Sequence, residues 1–287
     1  MKKRTIKKVL DSKFDTWVKT LPKEWNGIKL RGLVEDNTII TGGCIASMLL
    51  GEDVNDYDLY FKTHETVLAI TRYYVELYTS EVKQTFNLKV SSSENRVKII
   101  VESSGVESVK LEQRELVDTP IGILTNHKKY ENETFMPICL TSNAITLSNA
   151  IQLMIRFFGF PEDIHKNYDF IHATNYWKSW DRELVFTLPA LESILTKELI
   201  YSGSRYPVSS VIRTRKFIQR GWKIHAGQYL KMLFQVSELD LEDPKVLEDQ
   251  LIGVDVAYFL ELLDVLKKHT HRKIDSIYIS NLIDELL

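Results

Sequence analysis

The chain reads as an α+β protein, a mixed β-sheet with flanking helices followed by a mainly α-helical C-terminal region. Two observations lead there. Over the first 185 residues, short apolar runs bounded by glycine, proline or charged residues are interleaved with amphipathic stretches. From residue 189 onward, apolar positions recur at helical spacing. Composition supports an ordinary globular protein: 287 residues, 44% hydrophobic and 26% charged. That excludes a disordered acidic chain, a collagen-like repeat and a disulfide-stapled mini-protein. We expect two domains, 1–185 and 186–287, divided at a composition shift rather than an obvious linker.

The elements follow in order. Residues 7–20 form an amphipathic helix stopped by Leu21-Pro22. Residues 38–41 (TIIT) make a short buried strand, broken by Gly42-Gly43. A helix over 44–50 ends at Gly51. Residues 56–61 alternate as a strand does, and 65–78 is helical. Strands are expected at 87–91 and 96–102, and strands joined by exposed loops over 107–134. The apolar run 145–158 reads as a helix and 168–176 as another strand. Helices at 208–220 and 254–268 complete the C-terminal region. The first places Val208, Val211, Ile212 and Ile218 on one face, and the second carries an apolar stripe through Val256, Phe259, Leu260, Leu263 and Leu266.

Two cysteines, Cys44 and Cys139, 95 residues apart and with no C-x-x-C spacing, argue against a structural zinc site and fit a reducing compartment. The basic start lacks the apolar core of a signal peptide, and no run reaches the ~20 apolar residues of a membrane span. A cytoplasmic protein with no membrane partner is expected. The net charge of −2 hides an asymmetry: residues 199–237 contain no acid but carry Arg205, Arg213, Arg215, Lys216, Arg220, Lys223 and Lys231. Such a segment attracts phosphates even when the whole chain is near neutral.

The chemistry-bearing stretch runs from Thr41 to Phe61. Asp56 and Asp58 are two apart in an expected strand, so both project from one face, ~6–7 Å apart along the backbone. Such a pair suits two divalent cations ~3.5–4 Å apart, which clamp the attacking and leaving oxygens of a phosphoryl displacement. Gly42-Gly43 lies between strand and helix, where glycine permits close backbone approach and the first-turn N–H groups suit a polyphosphate. Each half alone has a plain reading, a turn or a solvated strand end. The combination at this spacing is selective.

This segment resembles the signature of the DNA polymerase β-like nucleotidyltransferase superfamily, a Gly-Gly followed about ten residues later by Asp-x-Asp. From Gly43 through Leu49-Leu50-Gly51 to Asp56-Tyr57-Asp58 it is most similar to the head domain of CCA-adding enzymes and bacterial poly(A) polymerases. The stretches 168–172 and 210–218 also look like nucleotidyltransferase-like proteins of tailed bacteriophages. The chain departs from the CCA-adding pattern in carrying Ala46-Ser47 where those enzymes have Arg-Asp, and it lacks their nucleotide-selecting motifs.

The resemblance implies a nucleotidyltransferase-like mixed β-sheet and a reaction that moves an NMP from an NTP to an acceptor hydroxyl. An RNA or tRNA 3′ end is the first expectation for the acceptor. It implies two Mg²⁺ ions, with Mn²⁺ an acceptable substitute, held by Asp56, Asp58 and a third carboxylate. Asp169 is the candidate for that third ligand, with Glu102 in reserve. The alternative for Asp169 is a pairing with a backbone N–H or Lys166. Gly42, Gly43 and Ser47 would meet the nucleotide. Arg213, Lys216 and Arg220 fall at i, i+3 and i+7, and would hold triphosphate or nucleic-acid backbone. The competing reading of that helix is a solvated face. Tyr201, Tyr206 and Trp222 are better placed in a core than as base-stacking platforms. A second function class, a non-catalytic binding or structural protein on the same fold, stays open, as does a toxin-type transferase acting on a protein or small molecule.

Overall fold

The computed structural model describes residues 5–81, 87–102, 135–243, 246–247 and 250. Two compact units emerge, Met1–Lys166 with His172–Ile194, and Asn167–Ile171 with Leu195–Leu287. Composition alone divides the chain at 185/186. The segments expected at 107–134 and 254–268 lie outside the described residues. No helix among the described residues is long and apolar enough to cross a membrane.

In the first unit, α1 (Ile6–Thr20) buries Leu10, Phe14, Trp17 and Val18 at helical spacing and ends where Leu21 turns extended before Pro22. After α2 (Leu30–Asn37) comes β1 (Thr38–Thr41), buried throughout. Then follow α3 (Gly43–Leu50), closed by Gly51 in the left-handed conformation, β2 (Tyr57–Phe61) and α4 (His64–Glu81). β3 (Asn87–Ser93) and β4 (Arg96–Glu102) form a two-stranded antiparallel hairpin. β5 (Pro137–Leu140), β6 (Ala144–Leu147), β7 (Ile151–Phe158), α5 (Pro161–His165), β8 (Tyr176–Lys178) and β9 (Leu184–Val185) complete the set, before α6 (Leu188–Thr196).

The sheet has seven strands in the order β5-β6-β7-β2-β1-β8-β9. It is mixed: β2 and β7 run parallel, and the other pairs are antiparallel. Its register shows which side chains share the core face. One row reads Leu140, Ile145, Leu153, Leu59, Ile40, Trp177 and Leu184 across the strands. The first six are buried, and Leu184 packs against the same core. This row meets α1, where Phe14 and Trp177 rings lie 5.1 Å apart, and the α1 Trp17 indole N–H donates to the α4 Tyr74 hydroxyl at 2.8 Å. Side chains one residue along the same strands face the other way.

Two sequence expectations need correction. Residues 145–158 are not a helix but the β6–β7 hairpin, with Ile145 opposite Leu153 and Leu147 opposite Ile151. Asn149 and Ala150 take φ of +64° and +56°, left-handed values that end any helix. Within β7 only Ile151, Leu153 and Ile155 are fully buried, a period of two that the dense apolar run obscures. Residues 168–176 are not one strand either. Phe170 makes a single bridge to Tyr201, residues Ile171–Ala173 form a 3₁₀ turn, and β8 starts only at Tyr176. The chain passes from the second unit to the first within this stretch, at 171/172.

The second unit contains α7 (Pro207–Gln219) and α8 (Ala226–Ser237). Its aromatic cluster joins Phe170 to Tyr201 and Phe217, and Phe217 to Trp222, with centroids 5.6–5.9 Å apart. Tyr201 and Trp222 are therefore core groups. The buried side of α7 also differs from expectation. Ser209, Ser210 and Thr214 are buried, whereas Ile218 is 46% exposed.

Candidate functional site

The site face of the sheet starts with the second row of the register. Val185, Tyr176, Thr41, Asp58, Gln152, Thr146 and Cys139 stand side by side across the seven strands. All but the buried Thr41 are half-buried, and most are polar. Asp58 lies in the middle. Asp56, exposed, sits one residue ahead of β2 rather than within it.

Thr41 is the last residue of β1, and the chain then turns sharply into α3. Gly42 makes that turn at φ +95°. A Cβ there would lie 2.6 Å from Asp58 Oδ2, so the backbone of Gly42 is packed directly against the carboxylate. Only glycine fits, for two independent reasons: the positive φ and the absent space. Gly43 differs. It is exposed, opens α3, and a Cβ on it would meet nothing within 4 Å. The residue capping α3 is glycine, which offers no side chain to its first-turn N–H groups. Ser47, one turn further on, is buried.

Three further groups pin this turn, and sequence reading missed them. The Gly42 N–H donates to the Ala173 carbonyl at 3.1 Å. The Thr41 hydroxyl lies 2.9 Å from both the Asn175 carbonyl oxygen and His165 Nε2. A hydroxyl has one proton. Donated to Asn175, it leaves Thr41 Oγ1 to accept from a protonated His165 Nε2. Burial pulls the His165 pKa down to about 4, against a smaller upward pull from Glu162, so the imidazole is neutral at physiological pH. No local signal links His165 to Thr41, 124 positions away.

The electrostatics of the pair are strained. The Asp58 pKa is raised from its ordinary value, first by burial and then by the charge of Asp56. The Cys44 thiol, which donates to the Thr41 carbonyl at 3.6 Å, is pushed up by burial and by both aspartates, and stays protonated. Carboxylate oxygens are what a hard divalent cation binds, and a cation would offset the repulsion between the two charges. Asp56 and Asp58 therefore fit Mg²⁺. Among the described residues, however, no group of three or more His, Cys, Asp or Glu is placed to hold a metal. The structure places the reserve candidate, Glu102, at the end of β4.

Asp169 lies in the second unit, where its carboxylate takes Arg213 Nη1 at 2.6 Å. The alternative partner considered from sequence, Lys166, pairs instead with Asp163 at 2.8 Å. Of the basic trio on α7, Arg213 is thus engaged, Lys216 is exposed, and Arg220 lies just past the helix end with its N–H on the Phe217 carbonyl. For this partly exposed pair, Asp169→Asn and Arg213→Gln should each lower stability by about 1 kcal/mol, with the double variant costing less than their sum. Urea denaturation of the three variants measures this, and strict additivity would show that the pair contributes nothing.

A family model described as Gabija anti-defense 2 family protein (Gad2) matches residues 8–197. The chain belongs to this family. The match spans the Gly42-Gly43 turn, Asp56, Asp58, Gln152, His165 and Asp169, and it stops before α7. No curated protein matches the chain. Among solved structures, the chain is similar to a Thermotoga maritima CCA-adding enzyme complexed with tRNA (12% identity, TM-score 0.43, covering 92% of this chain and 52% of that one). It is also similar to a CCA-adding enzyme with ATP (13%, 0.43, 91% and 51%) and to a Bacillus stearothermophilus CCA-adding enzyme in complex with CTP (14%, 0.37, 79% and 47%). The chain spans about half the length of these structures.

Proposed function

We propose that this Gabija anti-defense 2 family member is a metal-dependent nucleotidyltransferase that moves an NMP from an NTP to an acceptor hydroxyl. The observation carrying this reading is the Asp58 carboxylate, desolvated beside Asp56 and seated against Gly42 at the head of an α-helix whose cap is glycine. Acids with raised pKa values cluster at ligand sites.

Asp56 and Asp58 would hold Mg²⁺, which when bound neutralises the phosphates and the charge that develops on them. The chain's own groups do the rest. The first-turn N–H groups of α3 bind phosphate oxygens, and the exposed Gly43 lets them approach. Gly42 fixes where Asp58 stands. Neutral His165, through Thr41, holds the end of β1 and hence the turn. The acceptor oxygen bonds to the α-phosphorus, the bond from that phosphorus to the β-phosphate oxygen breaks, pyrophosphate leaves, and the hydroxyl proton passes to water. An RNA 3′ end is the first acceptor to test, with exposed Lys216 on α7 a candidate backbone contact. A component of the Gabija defence is the second, on the strength of the family description.

The test combines thermal shift and pyrophosphate release across the four NTPs with Mg²⁺. A ligand at a hundred times its Kd stabilises by about 2.7 kcal/mol. The pH dependence has a definite sign. Because the folded pKa of Asp58 lies above its ordinary 3.8, the metal-free fold loses stability as pH rises from there through the raised value. Mg²⁺ must displace the proton that Asp58 holds, so its affinity should increase with pH over the same window, by up to about tenfold per unit. A Kd for Mg²⁺ that ignores pH would remove Asp58 from the metal site.

A second reading has its own observation, the lack of a third carboxylate near the pair among the described residues. On that reading the protein binds nucleotide without transferring it. A thermal shift with no pyrophosphate from any acceptor would select it.

A further inference from the structure

We infer that Gln152 sets the metal capacity of this site, limiting it to one nucleotide-borne divalent ion. The inference rests on the nucleotidyltransferase reading and narrows it.

The parallel pairing of β2 with β7 puts Gln152 directly opposite Asp58. Neighbouring strands stand ~4.8 Å apart, and registered side chains share a face. Gln152 is therefore the immediate lateral neighbour of Asp58 on the site face, and it is half-buried there. On the other flank of Asp58 stands Thr41, whose hydroxyl is already engaged with His165 and Asn175. The strand beyond β7 contributes Thr146 to the row. Along the row, Asp58 is thus the sole carboxylate, flanked by an amide and a hydroxyl. The nearest acid to it along the chain is Asp56, two residues away.

Two carboxylates and the oxygens of a triphosphate suffice for one Mg²⁺, which typically takes one or two carboxylates plus substrate phosphates and water. A second ion ~4 Å away would have to share those carboxylates and draw further charge from the protein. The lateral position that could supply it carries a neutral amide. A carboxylate at 152 would bring a third charge onto the same face at strand spacing.

The experiment counts Mn²⁺ bound per protein by equilibrium dialysis with electron paramagnetic resonance, in the presence of saturating α,β-methylene-ATP. The wild-type chain should hold one ion and Gln152→Glu two, with Gln152→Ala holding one. Gln152→Asp serves if the Glu variant does not fold. Two ions in the wild-type protein, or one in a folded acidic variant, would overturn the inference while leaving the nucleotidyltransferase reading standing. No Mn²⁺ above that carried by free nucleotide in the wild type would overturn both.

Discussion

Replacing Asp58 by Asn should make the metal-free protein more stable and, on the proposed function, leave it inert toward nucleotide. The two effects have one cause. The Asp58 carboxylate is desolvated and stands beside Asp56, so its charge opposes folding when no cation is present. The amide keeps the shape and removes the charge. At neutral pH the gain should be about 1–2 kcal/mol, discounted because the residue is only half-buried, or roughly 2–6 °C in melting temperature. On the proposed function the same change removes a metal ligand, so stabilisation by NTP and Mg²⁺ should vanish and pyrophosphate release should fall by about 10³-fold or more. Opposite signs in the two measurements identify a functional acid held at a cost to stability. A variant that is less stable and still active would show that Asp58 is a structural group.

The second large effect is at Gly42. Gly42→Ala must accept φ +95° with a side chain and place a methyl 2.6 Å from Asp58 Oδ2. Backbone strain of this kind costs about 1–3 kcal/mol, and displacing the carboxylate adds to it. A loss of about 2–4 kcal/mol is expected, with loss of Mg²⁺-dependent stabilisation, because Asp58 is pushed from its place. Gly43→Ala is the control. Its Cβ meets nothing within 4 Å, so thermal denaturation should find it within about 0.5 kcal/mol of the parent. If the adjacent substitutions behave alike, the packing of Gly42 on Asp58 is not what makes glycine necessary.

Much of the site's frame was legible in the chain. The TIIT strand, the glycine pair, the helix closed by Gly51 and the acidic strand were each read within a residue or two, because turn chemistry and side-chain period are local. The different duties of the two glycines were not. Nothing in the letters says that Gly42 meets Asp58 while Gly43 faces open space. The β6–β7 hairpin was misread for a related reason. A dense apolar run satisfies both periods, and the left-handed turn at Asn149-Ala150 decides between them. On α7, apolar spacing picked out the wrong face, since the buried residues there include small polar ones, Ser209, Ser210 and Thr214.

By itself the sequence determined the fold class, the strand–turn–helix that carries the glycines and the two acids that follow it. Tertiary structure alone decided the company these residues keep. It set Gln152 opposite Asp58, brought His165 to Thr41 and gave Asp169 to Arg213. Contacts within a turn or strand follow from backbone geometry a few residues long. Contacts across 44, 94 or 124 positions depend on which surfaces the whole chain buries together, and no short window encodes that.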